Sequence, residues 1–393
     1  MNTTVFSGHN PTQLYLSGLL KLVHEGDECS PRGKKIKELR PVIIEYLSPL
    51  KRVTFLRGRT INPFFQLAEA IWIIAGRSDV AFLEEYNKNM VNFSDDGVSF
   101  NAPYGERLRF WNKNDSLGFI FNPLDQLADV YRKIKEDPDT RQAVASIYNP
   151  LFDNISNNTK DRPCNMLLSF KLRKGKLDLQ VYNRSNDIHW GTFGANLCQF
   201  STILELMASW LGVEVGTYYQ NTDSFHVYLD DYGYKETENV FSAYNITEGS
   251  TTPIATEFYT EKEPRITSDM ETTNSILQYF FEVVNPAMHS EGAYEENNTK
   301  SMLSSMSNIP DEYFKMSFLA MFAYQAHKRL ATVSVIEILD SMTDCSWKIS
   351  CLRFLHNKKC NKQGSLYGEL NDFKLLYSHM GEDIINYIER KVG

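Results

Sequence analysis

The sequence predicts an α+β fold, a mixed α/β core followed by an all-helical C-terminal extension. Three observations carry that expectation. Two alternating runs, "NMLLSFKLR" and "LDLQVYNRS", flank the turn "KGK" and read as a β-hairpin with Leu177, Leu179 and Val181 on one face. Apolar runs of helical length, "NPFFQLAEAIWIIAG" and "NLCQFSTILELMASWLG", are interspersed with the strands. From about residue 245 a stretch rich in Thr, Glu and Pro gives way to helical segments alone, so the expected domains are 1–260 for the core and 261–393 for the extension.

In chain order, "PTQLYLSGLLKLVH" forms the first helix and runs into the polar "EGDECSPRGKK", a loop with turn residues and positive charge in its "PRGKK" end. The second helix takes Asn62 as cap, Pro63 in its first turn and Gly76 as its stop. Glu69 is the odd residue in it: a carboxylate in so apolar a helix is either an edge position facing water or a buried acid with a task. A helix, a turn at "EDPDT" and a strand from Gln142 to Tyr148 precede the hairpin. After it, a helix ends at Gly212 and "VGTYYQNTDSFHVY" reads as a strand running into a helix or turn. The extension's helices are expected over "TTNSILQYFFEVV", "DEYFKMSFLAMFAYQAHKRL", "SVIEILDSM" and "SWKISCLRFLHN".

At 393 residues and 42% hydrophobic content, the chain can bury a substantial core. A net charge of −8 offers no general footprint for nucleic acid, although a local arginine cluster can still hold a small anion. No apolar run reaches the roughly 18 residues of a membrane span, and "MNTTVFSGHNPTQ" lacks the regions of a signal peptide, so a cytoplasmic location is expected. The six cysteines are spread without any CxxC pair and read as free thiols. Cys345, Cys351, His356 and Cys360 have spacings that fit no zinc module, and no metal is expected.

Cys164 stands where the first hairpin strand begins, in "DRPCN", and Arg184 ends the second. A thiol at a strand start is inert packing unless positive charge favours its thiolate. If the hairpin closes in register, Arg184 lies near the sulfur and presents its fork to an anion.

"RPCN" followed by "NRSND", a nearby glycine, an apolar helix containing Asn196 and then "TDSFHVY" resembles the thymidylate synthases and their nucleotide hydroxymethylase relatives. Upstream, "SPRGKK" resembles that family's phosphate-binding arginine loop, "AEAIW" its glutamate helix, "APYGERLR" its tyrosine-glycine segment and "DPDTR" the arginine turn that reaches into the neighbouring subunit. The resemblance covers residues 10 to 230 and implies a central, mainly antiparallel sheet flanked by helices, in a homodimer. It implies that Cys164 adds to C6 of a pyrimidine nucleotide. Arg32, Arg184 and Ser185 would hold the 5′-phosphate, with Arg141 supplied by the partner chain. Asp187 and Asn196 would face the base and folate side, and His226 and Tyr228 the sugar. Glu69, with Tyr104 nearby, would organise water and proton transfers. The implied carbon donor is 5,10-methylenetetrahydrofolate.

The departures from the family bear on how the reaction ends. Met90 and Phe93 stand where it places two tryptophans near the folate, and its C-terminal tail is not recognisable in "NYIERKVG". "DPDTRQ" has one arginine where many members have two, so the partner chain's hold on the phosphate is either weaker or rebuilt by Lys34, Lys35 or Arg59. "GTFGANLCQ" carries one extra residue before Asn196, so the base-reading residue is either Asn196 or displaced from it; the donor and acceptor of Asn196 fit the edge of uracil. A wall open to water favours a dUMP hydroxymethylase. Thymidylate synthesis is the first alternative, CMP or dCMP hydroxymethylation and a non-catalytic nucleotide-binding protein come next, and a cysteine hydrolase using Cys164 and His226 lacks an oxyanion-hole pattern.

Overall fold

The computed structural model describes residues 3–112, 122–154, 159–255, 258–260 and 262–357. Its chain divides into two compact units, Met1–Arg59 with Ala68–Thr256 and Thr60–Leu67 with Glu257–Gly393. Cys360 and the "NYIERKVG" end lie outside the described residues.

Among the described residues, ten strands build two sheets in the first unit: β1 (Thr4–Gly8), β2 (Asp27–Cys29), β3 (Ile36–Leu39), β4 (Val42–Tyr46), β5 (Val144–Ser146), β6 (Asn165–Arg173), β7 (Lys176–Asn183), β8 (Asn186–Asp187), β9 (Glu214–Thr222) and β10 (Phe225–Tyr228). The larger sheet has the order β1-β4-β9-β7-β6-β5 and the smaller β2-β3-β10-β8. β1 with β4, β7 with β9 and β8 with β10 run parallel, and the other pairs are antiparallel. The expected hairpin is β6 and β7, closed at Lys174 and Gly175, both with positive φ. Such a turn matches the strand twist and fixes the register.

A parallel pair needs a long crossover, and here it is the Leu197–Leu211 helix between β7 and β9, buried along almost its whole length. Nine residues of π-helix, Ile188–Asn196, lead into it. Two expected elements differ. The strand expected from Gln142 to Tyr148 is only Val144–Ser146, because the N–H groups of Ile147 and Tyr148 both turn to the carbonyl of Met166 and end the ladder. "VGTYYQNTDSFHVY" is two strands, which part after Thr222 into different sheets.

The described part of the second unit is helical beyond residue 270. Its Glu312–Lys328 helix is buried on every side, and Asp311 caps it, accepting from the N–H groups of Tyr313 and Phe314. Phe64 of the same unit stacks on Tyr324 at 4.8 Å. Cys345 and Cys351 are buried free thiols; burial pushes Cys345 up to about 12 and Cys351 well up too.

Candidate active site

The hairpin brings the thiol and the arginine together. Asn165 pairs with Asn183 across β6 and β7, so the chain leaving β7 continues past Cys164, and the Arg184 N–H donates to the Cys164 carbonyl at 3.0 Å. Arg184 Nη2 and Ser185 Oγ each lie 3.7 Å from Cys164 Sγ. The guanidinium is held by the Pro163 carbonyl at 2.9 Å and the Arg162 carbonyl at 3.3 Å. The guanidinium is thus a fixed cation beside a half-buried sulfur, and its fork suits a phosphate.

Tyr104 approaches from the other side. Its hydroxyl accepts from the Cys164 N–H at 3.3 Å and from Asn165 Nδ2 at 3.1 Å. Burial, and then the neighbouring Cys164, push the phenol up, so it keeps its proton as a donor. From Asn165 a chain of amides runs inward. Asn165 and Asn196 exchange hydrogen bonds of 3.1 and 3.2 Å, Asn196 Nδ2 donates to Asn186 Oδ1 at 3.1 Å, and Asn186 Nδ2 donates to Gln220 Oε1 at 2.7 Å. Gln220 Nε2 in turn donates to the Tyr46 hydroxyl and the Thr192 carbonyl. A connected buried network of this kind fixes the orientation of each amide. Asn196, displaced in sequence by one residue, stands at the end of the π-helix, a conformation that accommodates an extra residue in a helical turn.

Asp187 caps that π-helix, accepting from the N–H of His189 at 2.6 Å and of Trp190 at 3.4 Å. Burial pushes its carboxyl up, opposed first by His226, its cross-strand partner in β10. Tyr228 meets His226 edge-on at 5.2 Å and carries Lys34 over its ring at 5.7 Å. Burial raises the Tyr228 phenol, with Asp187 adding, Arg32 opposing and Cys164 adding again, so these groups share one neighbourhood. Arg32 is exposed, in a left-handed backbone conformation within Pro31–Gly33.

Four expected residues are less closely tied to the thiol. Arg141 is exposed, and its turn sits at the Arg173 end of β6, where Arg173 donates to the Asp139 carbonyl at 3.0 Å. Along a strand that is roughly 20 Å or more from Cys164, beyond the reach of one arginine side chain. Met90 and Phe93 bound a short 3₁₀ turn, the first buried and the second 48% exposed. The loop after them joins the segment leading to Cys164, where Ala102 N–H donates to Asp161 Oδ2 at 2.7 Å. Arg59 is not placed to rebuild phosphate affinity: it is buried, paired with Glu236 at 3.0 Å and donating to the His189 carbonyl at 2.8 Å.

Glu69 combines both readings the sequence left open. The residue keeps partial exposure, but its Oε2 is fully shielded. Burial pushes the carboxyl up to about 7, against a hydrogen bond from Gln199 that pulls it down.

A family model described as thymidylate synthase matches residues 14–267. The chain belongs to the thymidylate synthase family. Within it, this chain is 59% identical over 356 residues to the deoxyuridylate hydroxymethyltransferase of Bacillus phage SP01, covering 89% of this chain and 93% of that one. It is 37% identical over 226 residues to the protein of the same name from Pseudomonas phage M6, covering 57% and 61%. A third, from Delftia phage PhiW-14, is 29% identical over 211 residues, covering 51% and 55%.

In this member of the thymidylate synthase family several site residues escaped sequence reasoning. Asn165 and Asn186 stand inside the motifs that carry the resemblance, and an amide beginning an apolar strand was the available signal. Gln199 is one polar residue in an apolar helix, three positions after Asn196. His189 gave no signal: it is fully buried, accepts from the Tyr15 hydroxyl at 2.7 Å through Nδ1 and donates through Nε2 to Thr237, whose own hydroxyl donates to Gly233 O. Burial lowers it to about 3, so it stays neutral and structural.

Proposed function

We propose that this protein hydroxymethylates dUMP at C5, using 5,10-methylenetetrahydrofolate as carbon donor and water as the final nucleophile. The observation that carries the reading is Cys164 set 3.7 Å from both Arg184 and Ser185, in a chain so similar to the SP01 deoxyuridylate hydroxymethyltransferase.

Each residue has a role in that reading. The Cys164 thiolate adds to C6 of the base, and Arg184, Ser185 and Arg32 hold the 5′-phosphate with Arg141 of a second subunit. Asn196, whose two amide hydrogens go to Asn165 and Asn186, turns the remaining lone pair of its Oδ1 to the N3–H of uracil, with Asp187 serving the same side of the pocket. His226 and Tyr228 take the sugar hydroxyl. Tyr104 donates its proton in a hydrogen bond near the nucleophile, and Glu69 moves a proton at the ring. The folate fits a surface with exposed aromatic faces: Phe93, beside Met90, and Trp190, next to the Asp187 cap, are 48% and 41% exposed. When bound, it supplies the one-carbon unit at the oxidation level of formaldehyde. The phage relatives make the cytoplasm of a bacterial host the expected setting, and no described helix is long and apolar enough to cross a membrane.

The test is to incubate the protein with dUMP and methylenetetrahydrofolate, follow absorbance near 340 nm and weigh the nucleotide. A gain of about 30 mass units without an absorbance rise is expected; a gain of about 14 with a rise would mean hydride transfer and thymidylate synthesis.

A further inference from the structure

Gln199 and Glu69 are in direct contact, the Gln199 side chain hydrogen-bonding the carboxyl. Yet Gln199 Oε1 and Glu69 Oε2 are both shielded and have no hydrogen-bond partner among the described residues. Buried acceptors left unmet are costly, and two on adjoining side chains suit one donor with two hydrogens. A water that gives a hydrogen to each keeps its lone pairs free, and a carboxylate at one end makes its oxygen more nucleophilic.

The placement fits the chemistry. Gln199 is one helical step of three residues beyond Asn196, so the two share a face. Asn196 is bonded to Asn165, the neighbour of Cys164, and Phe200 stacks on Tyr104 with ring centroids 6.3 Å apart. Glu69 itself retains some exposure, so the pair is not sealed from solvent.

We propose that Gln199 and Glu69 together hold the water that captures the one-carbon unit, which makes Gln199 a determinant of the product. This rests on the hydroxymethylase reading above. The nucleotide then carries an exocyclic methylene at C5 and the Cys164 sulfur at C6. The water oxygen bonds to the methylene carbon, its proton passes to Glu69, and the methylene π pair moves into the ring as an enolate. Re-formation of the C5–C6 double bond expels the Cys164 thiolate, so no oxidant or reductant is required. A carboxyl raised to about 7 is suited to take that proton near neutrality.

The experiment compares wild type, Gln199→Leu and Gln199→Glu. Release of tritium from C5-labelled dUMP reads the steps before capture, and product mass with and without a small thiol reads the fate of the methylene. Gln199→Leu is expected to release tritium within about twofold of wild type while hydroxymethyl product falls about tenfold or more, the difference appearing as a thiol adduct; Gln199→Glu, which keeps an acceptor, should recover part of it. In ligand-free protein, the infrared carboxyl band of Glu69, assigned by its loss in Glu69→Gln, should titrate at higher pH in Gln199→Leu. Equal product from wild type and Gln199→Leu overturns the proposal, as does a loss of tritium release in proportion to product in both variants. If wild type itself forms no hydroxymethyl product, it is the functional reading that fails.

Discussion

Glu69 shows how a single residue sets stability against chemistry. Its carboxyl moves from an ordinary 4.5 to about 7 because burial disfavours the charge. Below about pH 4.5 it is protonated whether folded or unfolded, and the difference has no effect on stability. Between there and about pH 7 the unfolded chain gives up its proton first, so stability falls as pH rises and the loss is complete above the folded value. The difference amounts to at most about 3 kcal/mol. Glu69→Gln should therefore unfold at a higher urea concentration than wild type at about pH 8, by more than it does at about pH 5, while losing turnover. Parallel pH dependences of the two urea midpoints would rule out a raised carboxyl. The local reason Glu69 drew notice was legible in the sequence, a charge within an apolar helix. Its partner was not, because Gln199 lies on another helix and meets it only in the folded chain.

At the scale of elements, the π-helix decides where the Asn196 amide stands. A side-chain carbon at Gly191 would lie 2.2 Å from Asn186 Oδ1, and Asn186 is held in place by Asn196 and Gln220. Gly191→Ala is therefore expected to cost about 1–3 kcal/mol in urea unfolding and to weaken dUMP binding, measured by calorimetry. Trimming the obstructed group as well, in Gly191→Ala/Asn186→Ala, should cost less than the sum of the single changes. Strict additivity would mean that the close approach is not what Gly191 serves. The β6–β7 hairpin and its alternation were readable because both strands and their turn are contiguous. The pairing of β7 with β9 and of β8 with β10 was not, since parallel neighbours are joined by long crossovers that leave no local pattern. Likewise, one extra residue before Asn196 does not by itself say whether a loop or a widened helical turn absorbs it.

For the whole molecule, the charge balance and the position of Arg141 lead to the same expectation. A chain of net charge −8 needs several convergent guanidinium groups to hold a phosphate dianion, and in the proposed site Arg184 and Arg32 are the two that the same chain supplies. Arg141 stands at the other end of β6 from Cys164, exposed, so the phosphate role proposed for it requires a second subunit. The prediction is a symmetric dimer with shared sites. Cys164→Ser and Arg141→Glu chains should each be inactive alone, since one lacks the nucleophile and the other presents an acid to its partner's phosphate. Unfolded and refolded together, they form mixed dimers in which the Arg141→Glu chain keeps Cys164 and receives an intact Arg141 from its neighbour. Random pairing makes half of the dimers mixed with one good site in two, so about a quarter of wild-type hydroxymethylation should return. No recovery, with mixed dimers demonstrated by mass, would mean that Arg141 serves no phosphate across the interface and that each subunit completes its site alone.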